Sequence, residues 1–90
     1  MEEKFLAACS ENRRKADAMG VRIRPIGDMQ QAHRILSGHR ESDGFAQLAA
    51  KGRLDLSLEA LAVKKQFTSL FTDEEANNAL MRLLDAGYKF

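Results

Sequence analysis

The chain has 90 residues, 44% hydrophobic and 30% charged, with a formal net charge of +1. That is the make-up of one globular domain and not of a disordered or fibrous chain. No apolar run approaches the roughly twenty residues needed to cross a bilayer, the acidic opening Glu2-Glu3 is unlike a basic secretory leader, and the single Cys9 excludes an internal disulfide or an all-cysteine zinc site. A cytoplasmic protein with no membrane contact is expected.

Residues 2–19 predict a first helix. Phe5, Cys9, Asn12, Ala16 and Met19 recur every three or four positions, a seam with one polar interruption at Asn12. Glu2 and Glu3 complement the positive end of the helix dipole, and Gly20 suits the position after its C-cap. Residues 21–26 then alternate apolar and basic side chains, a strand-like pattern, but Pro25 has no N–H to donate. Two readings follow. One is a minor two-stranded pairing of 21–24 with 54–58, where Leu54, Leu56 and Leu58 alternate with Asp55 and Ser57. The simpler one is an extended connector across the helices, because two short strands alone are barely stable.

Asp28 can cap a second helix that ends near Ser37, with Met29, Ala32, Ile35 and Leu36 inward and Gly38 as its stop. Ser42 or Asp43 opens a third, with Phe45, Leu48 and Ala49 on one face and Gly52 closing it. Ser57 opens a fourth, with Leu58, Leu61 and Ala62 on one side and Lys64 and Lys65 on the other. Phe67, Leu70 and Phe71 form an apolar joint before the last helix. That helix has the fullest set of signals, with Thr72 and Glu75 spaced as a capping box and Phe71 and Ala76 placed as a hydrophobic staple. Its stripe is Ala76, Ala79, Leu80, Leu83 and Leu84, and Gly87 with Tyr88 closes it over Leu83. The expectation is an all-α domain of about five short helices spanning residues 1–90.

Little in the chain points to catalysis. His33 and His39 are six apart across a glycine, so one helix face does not hold both as metal ligands. Cys9 sits on an apolar face beside Phe5, the setting of a buried thiol and not of a nucleophile. Asp73, Glu74 and Glu75 crowd a helix start, where they serve the dipole. No phosphate-cradling glycine loop or nucleophile elbow is present. No enzyme activity, metal or cofactor is expected.

Charge is unevenly spread. Residues 12–40 carry seven Lys and Arg side chains against Asp17 and Asp28, a net of +5, whereas residues 54–90 carry a net of −2. Arg13, Arg14, Lys15, Arg22, Arg24 and Arg34 therefore form a candidate phosphate-binding surface. The segment lacks aromatics for base stacking. A helix-turn-helix over 47–67 fits poorly, since Gly52 follows Ala49 by three and leucines lengthen the turn. The stronger expectation is a small non-enzymatic interaction protein: an adaptor, regulator or inhibitor. Its docking face would comprise Arg40, Arg53, Leu54, Leu56, Phe67, Phe71, Tyr88 and Phe90, with the basic segment steering approach. Surplus apolar positions also favour self-association into a homodimer.

Overall fold

Leu58-Glu59-Ala60-Leu61-Ala62 is the pivot of the computed structural model, which describes residues 1–89. All five residues are buried, as befits a helix that is apolar nearly all round. Around it stand α1 (Glu2–Ala18), α2 (Met29–Ser37), α3 (Phe45–Ala50) and α5 (Asp73–Asp85), the central element being α4 (Leu58–Ala62). Two 3₁₀ turns, Leu54–Leu56 and Thr68–Leu70, lead into α4 and α5. The all-α expectation holds, and no strand occurs among the described residues.

The core divides into two clusters that share α4. One gathers Phe5, Met29, Ala32, Leu36, Leu61, Phe67 and Phe71; the other gathers Ala16, Val21, Phe45, Leu48, Leu54, Leu56 and Leu83. In the first, Phe5 meets Phe67 and Phe71 edge-on, with ring centroids 5.3 and 5.1 Å apart, the geometry favoured by the ring quadrupoles. Helix α5 packs against both α4 and α2.

Helix ends follow the sequence signals closely. Asp28 Oδ1 accepts from Gln31 N at 2.8 Å, and Ser57 Oγ accepts from Ala60 N at 3.1 Å. Thr72 and Glu75 form the reciprocal capping box, with Glu75 N donating to Thr72 Oγ1 and Thr72 N to Glu75 Oε1. Helices α1, α3 and α5 end alike: Val21 N reaches back to Ala16 O, Arg53 N to Leu48 O and Tyr88 N to Leu83 O. Gly20, Gly52 and Gly87 supply the positive φ these closures need.

Four expectations need correction. The pairing of 21–24 with 54–58 does not form. Leu54–Leu56 instead closes on itself through i to i+3 bonds, turning Leu54 and Leu56 into the core. Apolar residues two apart suit a tight turn entering a buried helix as well as they suit a strand. Second, α3 begins at Phe45, with left-handed Gly44 before it. Ser42 and Asp43 are taken by other partners, Ser42 by Glu59 and Asp43 by Arg24 N. Third, Lys64 and Lys65 lie past the end of α4 and not on a face of it. The apolar stripe of α5 is also narrower than expected. Ala79 and Leu83 are fully buried, but Leu84 is 50% exposed because Glu75 and Arg82 hold the inward positions beside them.

Candidate functional site

Val21 to Gly27 is an extended connector fastened along its length. Val21 is buried, Arg24 N donates to Asp43 Oδ2 at 2.9 Å, and Gln31 grips Pro25 O and Gly27 N at 3.1 and 3.0 Å. Gly44 makes room for it, since a Cβ there would stand 2.9 Å from Ile23 Cγ1. Alternation thus does what it would in a strand, sending Val21 and Ile23 inward and Arg22 and Arg24 outward, while side chains take the role of a neighbouring strand.

Held this way, the connector forms one wall of a cleft of about 460 Å³, a size typical of ligand pockets. Helix α1 contributes Cys9 and Arg13, one turn apart on the same face; α2 contributes Arg34 and Ile35; the connector contributes Ile23, Arg24 and Ile26. Leu58 and Leu61 of α4, with Leu56 just before it, complete an aliphatic floor, and Glu41, Ser42 and Asp43 come from the loop between α2 and α3. Neither histidine lines it.

The charges in the cleft are unevenly matched. Arg13, Arg24 and Arg34 make no ion pair among the described residues. Asp43 is committed to the Arg24 backbone N–H and Ser42 to Glu59, which leaves Glu41 as the free acid. Arg13 is half-buried, and its Nε–H is buried with no acceptor among the described residues. The Cys9 thiol on the floor is pushed up by burial from 9.0 to about 12, so it stays protonated and is a poor nucleophile at neutral pH.

A second polar cluster lies behind the cleft and is structural. Glu59, with no exposed surface, accepts from Ser42 N at 2.7 Å, from Ser42 Oγ and from Arg82 Nη1 at 3.4 Å. Arg82 also donates to Gly38 O at 2.6 Å and Ile35 O at 3.3 Å, while Asn78 Nδ2 donates to Leu36 O at 3.0 Å. The open carbonyls of the α2 C-terminus are thereby satisfied by α5, and the cation lies where the helix dipole favours it. On the other side, His33 Nδ1 meets both oxygens of Glu75 at 2.9 Å. These contacts hold α2, and with it Arg34 and Ile35, in place on the cleft wall.

The expected docking face is not assembled. Leu54, Phe67 and Phe71 are buried in the two core clusters, and Leu56, also buried in the core, is the one of the four that lines the cleft. Tyr88 packs against the second cluster and is half-buried. Arg53 is tied to its neighbour Asp55 at 3.1 and 3.2 Å, and Arg40 is exposed on the loop after α2. Phe90 lies outside the described residues. Of the basic set, Arg13, Arg24 and Arg34 converge on the cleft, whereas Arg14, Lys15 and Arg22 are exposed and do not line it.

Sequence reasoning missed the aliphatic floor and Glu59. Glu59 stands inside Leu58-Glu59-Ala60-Leu61-Ala62-Val63, a run too apolar to have a solvent face. No helix of the described residues is long and apolar enough to cross a membrane, and no group of three His, Cys, Asp or Glu among them converges to hold a metal. Comparison with known families, curated proteins and solved structures finds no significant match, so the site is read from its own geometry.

Proposed function

We propose that this chain is a small, non-enzymatic, cytoplasmic interaction protein that captures another protein through the cleft between α1, the 21–27 connector and α2. One observation carries the reading: Arg13, Arg24 and Arg34 line one cleft with Ile23, Ile35, Leu58 and Leu61, and none of the three makes an ion pair among the described residues. Apolar side chains gathered in a cleft suit a docking site, and unpaired cations around them steer an acidic partner toward it. The docking face thus lies where the basic residues Arg13, Arg24 and Arg34 meet Leu56, Leu58 and Leu61, and not on Leu54, Phe67 or Phe71. A non-catalytic role is supported by the protonated Cys9 thiol and by the commitment of His33 to the Glu75 cap, outside the cleft.

The same three arginines would also suit phosphates, which keeps nucleic-acid binding as the second reading. The cleft wall has no aromatic ring on which a base could stack.

The test is capture from the native host with the wild-type chain and with a double variant, Arg24→Glu and Arg34→Glu. Both residues are exposed, so the variant should keep the wild-type circular dichroism and melting profile. Loss of the co-purifying protein from a folded variant supports the reading. Undiminished capture, or loss that also follows charge reversal at Arg40 or Arg53, argues against this cleft as the docking face.

A further inference from the structure

We infer that the cleft takes an acidic, aliphatic peptide segment, with Arg13 as the seat for one of its carboxylates. This rests on the docking reading above and names the chemistry of what docks.

Three features of the cleft favour that ligand over other anions. It is lined by branched side chains, Ile23, Ile35, Leu58 and Leu61 among them, which suit leucine or isoleucine side chains and offer no flat ring to a nucleobase. Its acids matter as much as its bases. Glu41 and Asp43 line the cleft with the arginines, so a continuous polyphosphate would meet like charge there. A peptide with one or two carboxylates can instead turn its backbone N–H groups toward Glu41.

Arg13 is the third feature. It stands on α1 one turn beyond Cys9, and both residues line the cleft. Its Nε–H is the one buried side-chain donor without an acceptor among the described residues. The Nε and Nη edge of a guanidinium matches the two oxygens of a carboxylate, and such bidentate pairs are among the strongest charge-assisted hydrogen bonds. A modest turn of the guanidinium toward the cleft would give the orphaned donor an acceptor that arrives with the ligand. Arg24 and Arg34, more exposed and on other walls, then steer and hold a second acid.

Fluorescence anisotropy with labelled synthetic peptides tests this directly. The probes are a peptide alternating Glu and Leu, its Gln and Leu counterpart, its Glu and Ser counterpart, and single-stranded oligothymidylate. The Glu and Leu peptide should bind saturably, and each counterpart about tenfold more weakly or worse, a loss of about 1.4 kcal/mol. Arg13→Gln should remove about tenfold for the Glu and Leu peptide while leaving the Gln and Leu peptide unchanged. Arg34→Gln provides the same comparison at an exposed position, should Arg13→Gln perturb folding.

Equal binding of the Glu and Gln peptides, tighter binding of oligothymidylate, or no saturable binding would each overturn the inference. If no probe peptide binds but the Arg24→Glu and Arg34→Glu variant still loses its native partner, the ligand class is wrong and the docking reading stands. If partner capture is also unaffected by that variant, both fall.

Discussion

Glu59 and Arg82 form an ion pair at 3.4 Å in which the carboxylate has no exposed surface at all. The pair ties three segments together, since Glu59 also holds Ser42 and Arg82 also holds Gly38 and Ile35. Removing one partner would leave a buried charge uncompensated, which typically costs about 3–5 kcal/mol. Arg82→Ala should therefore lower the urea unfolding free energy by about 3 kcal/mol. Adding Glu59→Gln should restore part of that loss, because it removes the stranded charge. A strictly additive double variant would show that the two side chains do not depend on each other.

Glu75 links stability to acid pH. Burial pushes its carboxyl up, but the Thr72 backbone N–H, then the hydrogen bond and charge of His33, outweigh that and leave it below its ordinary value of 4.5. A depressed carboxylate contributes stability that is fully present above the unfolded value and disappears as pH falls through the folded one. Unfolding midpoints should thus fall on acidification below about pH 4.5, and Glu75→Gln should make that decline shallower. Thr72→Ala should cost about 1 kcal/mol at neutral pH from loss of the cap alone.

Helix starts and stops were legible because they depend on a few neighbouring residues. Thr72 with Glu75, Asp28, Ser57 and the helix-closing glycines Gly20, Gly52 and Gly87 each carry a local geometric requirement that a single sequence displays. The burial of Leu54, Leu56, Phe67 and Phe71 was not legible. Whether an apolar side chain faces the core or a partner depends on how the helices pack, and α4 becomes the centre only once α1, α2 and α5 surround it. The cleft was half legible. Arg13, Arg24 and Arg34 stood out as basic residues, but their convergence needs the connector to be bound through Gln31 and Asp43, contacts that span elements.

The Cys9 thiol should behave as a shielded group despite standing on the cleft floor. With its value raised from 9.0 to about 12 by burial, little thiolate is available near neutral pH. An aromatic disulfide reagent should label the native protein near pH 8 far more slowly than the urea-unfolded chain. Because the folded value exceeds the unfolded one, the stability Cys9 contributes is fully present below about pH 9 and is lost as pH rises toward 12. Cys9→Ala should flatten that alkaline decline. Equal labelling of native and unfolded protein would show instead that the cleft admits reagent to the sulfur.

Gly44 and Gly52 offer a paired test of what positions the connector. Both have positive φ, +77° and +69°, so alanine at either is strained by about 1–2 kcal/mol. They differ in surroundings. At Gly52 an added Cβ meets nothing within 4 Å, whereas at Gly44 it would stand 2.9 Å from Ile23 Cγ1 and 3.2 Å from Val21 Cγ1. Both neighbours belong to the connector, and Val21 is pinned in the core, so relief must come by displacing the 21–24 stretch. Gly44→Ala should therefore cost a further 1–3 kcal/mol or so from overpacking and should speed amide hydrogen exchange at Arg24, whose N–H rests on Asp43. Gly52→Ala should leave that amide as protected as in the wild type. Matching losses of stability and matching exchange in the two variants would mean that the connector is held by something other than its close pass over Gly44.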